Sequence, residues 1–167
     1  IVYLGGIISR QDGKLSPHLR SRAEVGDILL ASGVPTAALQ AAVIIGSGSA
    51  SFEMLRYLTE RLPAMVTPQW VDTRIQPIAV RDVLRYLAGS ATLPADVSRR
   101  FDIGGPDVLS YVDMMRRYAD VAGLTPRAIV KVPVLTPRLS SLWVGLVTPV
   151  PANLARPLVE SLRNEVV

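Results

Sequence analysis

The run Ala37–Ile45, AALQAAVII, is apolar at every position except Gln40. Side chains alternate between the two faces of a strand, so a strand that is apolar at successive positions must be covered on both faces. That condition is met by a parallel sheet sandwiched between helices, and it is the strongest single restriction on this chain. The residues around the run agree with it. IVYLGG (residues 1–6) reads as a short buried strand, and Gly5-Gly6 closes it. Ser16 is a good helix N-cap, Pro17 suits the first helical position, and Gly33 stops a helix that runs to about Ser32. Leu19, Ala23, Gly26 and Leu30 form its packing stripe.

Further along, GSGSAS (residues 46–51) opens a helix over about 52–62 that Pro63 ends. Residues 64–73, with Met65-Val66, Pro68 and Trp70, read as irregular with room for a short strand. RIQPIAV (residues 74–80) is an extended segment leading into a helix over about 81–88, which Gly89-Ser90 should end. Residues 99–103 form another short strand, and Gly104-Gly105-Pro106 turns the chain. Ser110-x-x-Asp113 is a capping-box start for a helix to about Ala122, stopped by Gly123. IVKVPV (residues 129–134) reads as an edge strand because of Pro133. Two helices, 137–147 and 152–166, follow. The alternation of strands and helices specifies an α/β chain.

Composition narrows the function classes. Among 167 residues, 49% are hydrophobic and 19% charged, which fits a packed core rather than a disordered chain. The absence of cysteine removes disulfides and thiolate metal sites, and a single histidine argues against a histidine zinc site; no metal is expected. Lys and Arg exceed Asp and Glu by 18 to 14, but the basic residues are scattered and not interleaved with aromatics, so no nucleic-acid partner is expected. The long uncharged stretch 139–155 contains Pro149 and Pro151 and does not read as a membrane span. No signal peptide is visible, and a cytoplasmic setting is expected.

His18 and Arg22 are the residues best placed for chemistry. Four apart at a helix start, they share a face. An imidazole exchanges protons near neutral pH, and a guanidinium binds anionic groups. Spacing alone is equally met by two solvated side chains.

Five stretches carry a resemblance. HLRSRAEVG (residues 18–26) resembles the YGRSKAEAE segment that holds the Tyr-x-x-x-Lys pair of extended, epimerase-like short-chain dehydrogenases/reductases. Ser21, Ala23 and Glu24 match, while His18 stands in place of the tyrosine and Arg22 in place of the lysine. VYLGG (residues 2–6) is similar to the strand that ends in that family's catalytic Ser/Thr, with Gly5 and Gly6 in its place. LQAAVIIGSG (residues 39–48) resembles LRPxNVYGPG: Gly46 and Gly48 match, whereas Gln40, Ala41 and Val43 do not. IQPIAVRDVLRYL (residues 75–87) shares V-x-D-V through Val80, Asp82 and Val83, and residues 101–123 resemble the YNIGGPE…SY.E segment. The likeness covers residues 1–135 and is strongest to the atypical, NmrA-like, NAD(P)H-binding branch.

What the resemblance implies is specific. Residues 1–135 would be the C-terminal part of an NAD(P)-binding, Rossmann-like α/β domain, a parallel sheet with flanking helices that is incomplete because its N-terminal βαβ units are absent, and 136–167 a helical linker or the start of a following domain. His18 would be the proton donor and Arg22 a ribose or phosphate contact. NAD or NADP would touch Gly5, Gly6, Arg22, Ala41, Ala42 and Val43, but be held mainly by a preceding Gly-rich fingerprint, which has no match here. The chain begins at Ile1 within a strand, and a fragment of a longer protein is expected. Gly46, Ser47, Gly48 and Ser49 would contact a carbonyl or sugar-like small molecule. Two functions follow: an oxidoreductase or epimerase with an altered catalytic motif, or a non-catalytic dinucleotide-sensing regulatory or interaction protein.

Overall fold

The computed structural model describes residues 1–7 and 17–132, with only the backbone described at His18, Gln69 and Trp70. The expected helices at 137–147 and 152–166, the N-cap at Ser16 and the proposed boundary at 135/136 lie outside the described residues. In chain order the elements are β1 (Val2–Gly6), α1 (Pro17–Ala31), β2 (Ala37–Ala41), β3 (Ile44–Ile45), α2 (Ala50–Arg61) and β4 (Ala64–Pro68). A 3₁₀ turn at Gln69–Asp72 leads to β5 (Arg74–Ile75), β6 (Ile78–Ala79) and α3 (Val80–Ser90). The chain continues through β7 (Arg99–Ile103), β8 (Leu109–Ser110), α4 (Tyr111–Val121) and β9 (Ala128–Val132).

The principal sheet has the order β1-β2-β7, and both pairings are parallel. Its central strand, β2, is buried at all five positions, as its two apolar faces require. Side-chain alternation then assigns the covers. On one face Gly5 and Tyr3 lie against α1 at Gly26, and Arg100 of β7 pairs with Asp27 of the same helix. On the other face Leu39, Ala41 and Ile103 pack with Val83 of α3, joined by Leu4 and Leu87. The result is a helix–sheet–helix sandwich, the Rossmann-like α/β arrangement expected from the sequence.

The predicted strand 37–45 is two strands. The chain leaves the sheet at Ala42, and Ile44–Ile45 pairs instead with Ile78–Ala79 in parallel. Val43 belongs to a second apolar cluster, built around Leu55 and Leu58 of α2 and Val112 and Met115 of α4. A continuous apolar run thus serves two cores in succession, and periodicity contains no sign of the break. The short strand allowed for in residues 64–73 is β4 at 64–68, which pairs in parallel with β9 from Ala64↔Ala128 to Pro68↔Val132. Pro68 closes the strand as its last residue.

Helix ends follow local chemistry. Gly33 and Gly123 take φ of 78° and 65°, the left-handed conformation of a helix stop. Ser49 caps α2 by accepting from the Phe52 amide, so that helix begins two residues before the expected start. Gly89-Ser90, expected to end α3, are its last two residues. The Ser90 hydroxyl donates to the Tyr86 carbonyl at 2.7 Å, and Ala91 is the C-cap.

Candidate functional site

Parallel pairing places the C-terminal ends of three strands side by side: Gly6 opposite Ala41, and Ala41 opposite Ile103. The Ile7 amide extends the ladder by donating to the Ala41 carbonyl at 3.1 Å. In open α/β sheets this edge is where ligands bind. Gly5, Gly6, Ala41, Ala42 and Val43 are therefore brought together, with Gly6 and Ala42 part-exposed and Ala41 and Val43 buried.

The two strand-end glycines have packing roles. A Cβ at Gly5 would stand 3.1 Å from the Tyr3 ring, and one at Gly6 would stand 3.0 Å from Leu19 Cδ2. The space a side chain would take at these positions is filled from within the protein. Their backbone lies at the C-terminal edge of the sheet all the same, beside Ala41 and Ala42.

Helix α1 carries the other candidates. Arg22 is exposed, and its backbone carbonyl accepts a hydrogen bond from the Tyr3 hydroxyl at 3.0 Å. His18 lies one turn earlier, at the second position of the helix. Strand β1 thus fixes the turn that presents both residues, and Gly26, buried against Tyr3, permits the close approach.

Gly46–Ser49 forms a separate group beyond β3. A Cβ at Gly46 would fall 2.6 Å from Val80 Cγ1, so this loop packs tightly on the start of α3. The Ser49 amide donates to the Gly46 carbonyl at 3.2 Å, while the Ser49 hydroxyl caps α2. That hydroxyl is engaged structurally; Gly46 and Ser47 keep part or full exposure.

Reading by motif missed the contact between residues 76–78 and 104–105. Gln76 Nε2 donates to the Gly105 carbonyl at 2.7 Å, and the Gly105 amide donates to the Pro77 carbonyl at 2.9 Å. A Cβ at Gly105 would lie 2.4 Å from the Pro77 oxygen, so only glycine fits. Also unforeseen is a cavity of about 430 Å³ between α2 and α4, bordered by Ile45, Phe52, Leu109 and Met114. At its edge Arg117 pairs with Asp107 at 2.6 Å, and the Tyr118 hydroxyl donates to Glu60 at 2.5 Å. The same bond to Glu60, helped by partial desolvation, raises the Tyr118 pKa. The signal for this cavity was present only as helical spacing of apolar residues in two helices far apart in sequence.

Among the described residues no cluster of His, Asp or Glu has the arrangement of a metal site, and no helix is long and apolar enough to cross a membrane.

These features define a class of fold, the Rossmann-like α/β arrangement of nucleotide-sugar epimerases and reductases. No protein-family profile and no curated protein matches the sequence. Solved structures do match. A nucleoside-diphosphate-sugar epimerase from Staphylococcus aureus superposes with a TM-score of 0.68 at 13% identity, over 97% of this chain and 54% of that one. The dTDP-4-dehydrorhamnose reductase of Bacillus anthracis, in complex with NADP, gives 0.61 at 10% identity, over 80% of this chain and 50% of its own. The UDP-glucuronic acid 4-epimerase of Bacillus cereus, in complex with NAD, gives 0.58 at 11% identity, over 95% and 61%. The chain therefore has the fold of a part of these proteins and spans little more than half their length.

Proposed function

We propose that this chain is the substrate-side part of an NAD(P)-dependent oxidoreductase or epimerase acting on a carbonyl or sugar-like small molecule. The observation that carries the reading is the row of parallel strand ends at Gly6, Ala41 and Ile103, with the His18–Arg22 turn tied to β1 by Tyr3. Structures of the same fold have been solved with NADP and with NAD. The cofactor would lie along Gly5, Gly6, Ala41, Ala42 and Val43, with most of its binding surface supplied by residues outside 1–135. When bound it would deliver or accept a hydride. His18 would donate the proton to the substrate oxygen, and Arg22 would hold a ribose hydroxyl or phosphate by charge-assisted hydrogen bonds. Gly46, Ser47, Gly48 and Ser49 would border the substrate.

The strand-end glycines favour a second reading. A hydroxyl at Gly5 or Gly6 would be needed to orient a carbonyl, and the space for it is occupied by Tyr3 and Leu19. A dinucleotide-sensing regulatory protein needs the fold but not that hydroxyl.

One experiment separates the two. The 167-residue chain, and a longer chain containing it, are titrated with NADPH and NADH by cofactor fluorescence, and bound NADPH is then followed for oxidation with carbonyl and nucleotide-sugar substrates. Micromolar binding with turnover that falls at least a hundredfold in His18→Ala is expected of the enzyme. Binding without oxidation indicates the sensor, and no binding by either chain removes the nicotinamide reading.

A further inference from the structure

The cavity between α2 and α4 adjoins the loop Gly46–Ser49 on both sides, since Ile45 precedes that loop and Phe52 follows it, and both border the cavity. Its volume of about 430 Å³ lies within the range of small-molecule sites. Its walls are apolar: Leu55, Leu109 and Met114 line it together with Ile45 and Phe52. The polar groups at its edge are engaged with one another. Arg117 and Asp107 are paired at 2.6 Å, and the Tyr118 hydroxyl is held by Glu60 at 2.5 Å. The Phe52 and Tyr118 rings meet edge to face, with centroids 6.0 Å apart, which fixes one corner of the wall.

A hydroxyl set against these apolar walls would leave its own donor and acceptor unpaired. An apolar group loses nothing on entry and removes its own surface and that of the wall from water. We propose that this cavity binds the apolar portion of an uncharged small molecule, and that the substrate of the neighbouring loop carries such a group in place of a sugar. The second half of this proposal rests on the reading of Gly46–Ser49 as the substrate side; the first half does not.

The probe is N-phenyl-1-naphthylamine, an uncharged apolar fluorophore, titrated into the full chain without any nicotinamide. Saturable micromolar binding is expected. It should weaken at least tenfold in Leu109→Trp, which fills the cavity. It should weaken similarly in Val121→Glu, which sets a carboxylate at the rim on a residue that is 90% exposed. Leu84→Trp, on an exposed apolar residue of α3 away from the cavity, should bind as the parent does. UDP-glucose at millimolar concentration should leave the probe in place.

Absence of saturable binding overturns the proposal, as does equal weakening in Leu84→Trp or an unaltered affinity in Val121→Glu. Displacement of the probe by UDP-glucose assigns the cavity to a polar ligand and overturns it as well. Because the titration contains no nicotinamide, failure of cofactor binding leaves this result standing, and loss of probe binding leaves the cofactor reading untouched.

Discussion

The Tyr3 hydroxyl donates to the backbone carbonyl of Arg22 at 3.0 Å, joining the second residue of β1 to the second turn of α1. The ring spans the distance between them by lying over Gly26, where a Cβ would stand 3.6 Å from its Cε1. One side chain therefore sets the spacing between a strand and the helical turn that carries Arg22. Tyr3→Phe keeps the ring and removes the bond. It should lower stability by about 0.5–1.5 kcal/mol, read as a fall in the urea midpoint with an unchanged m-value. An unshifted midpoint would mean that water replaces the bond without cost.

Gly105 tests how closely two segments approach. Its missing side chain accommodates the Pro77 carbonyl, which lies 2.4 Å from where a Cβ would be. Gly105→Ala should cost about 1–3 kcal/mol, the range for overpacking against backbone that has nowhere to move. Gly89→Ala is the counterpart: Gly89 sits inside α3 with ordinary φ and nothing within 4 Å of an added Cβ. It should raise stability by about 0.5–1 kcal/mol. Thermal melts of both variants decide the point, and two changes of the same sign would contradict this account of the two glycines.

The difference between these glycines also marks what was legible beforehand. Local chemistry was readable: Pro17 as the first helical residue of α1, Gly33 and Gly123 as helix stops, and the Ser110–Asp113 box all depend on a few adjacent residues. The both-face burial of β2 was readable because a strand's two faces are written in successive residues. The division of 37–45 into two strands was not, because Val43 and Ile45 are apolar for a different core from the one Leu39 serves. The Gly105–Pro77 contact was equally hidden, since it joins residues 28 positions apart through backbone atoms that every sequence possesses. The candidate site divides along the same line. The strand-end residues could be named from their motifs, but the cavity needed α2 and α4 to be brought together.

The N-terminus of α4 should respond to acid. Asp113 Oδ2 accepts from the Ser110 hydroxyl at 2.6 Å and from the Ser110 amide at 3.1 Å, and these bonds hold its pKa below the ordinary carboxylate value, with Arg116 and Arg117 helping. A lowered folded-state pKa means that the stabilisation is complete above the unfolded value, near 3.8, and is lost as the pH falls through the lower folded one. Asp113→Asn should therefore flatten the acid limb of the stability profile below about pH 4, while Ser110→Ala should cost about 1 kcal/mol at neutral pH. Urea unfolding between pH 2 and 7 makes the comparison. An acid limb identical in the parent and in Asp113→Asn would assign acid sensitivity to other carboxylates.

Two of the five tyrosines carry the opposite dependence. Tyr111 is 5% exposed in the α4 core, and burial raises its pKa well above the ordinary value of 10. Tyr118 is raised chiefly by its bond to Glu60, whose negative charge also opposes a phenolate. For a group with a raised folded-state pKa, stability is fully present below the unfolded value and is lost as the pH climbs beyond it. The fold should therefore weaken progressively above about pH 10. Absorbance at 295 nm, recorded with far-ultraviolet ellipticity, resolves the order of events. The Tyr111 phenolate cannot form inside an apolar core, so the absorbance step that disappears in Tyr111→Phe should coincide with loss of ellipticity. The Tyr118 step should move to lower pH in Glu60→Gln, where the charge that disfavours ionisation is gone, with the ellipticity retained. A Tyr111-dependent step below pH 10 in folded protein would place that hydroxyl in contact with water and remove it from the core assigned to it here.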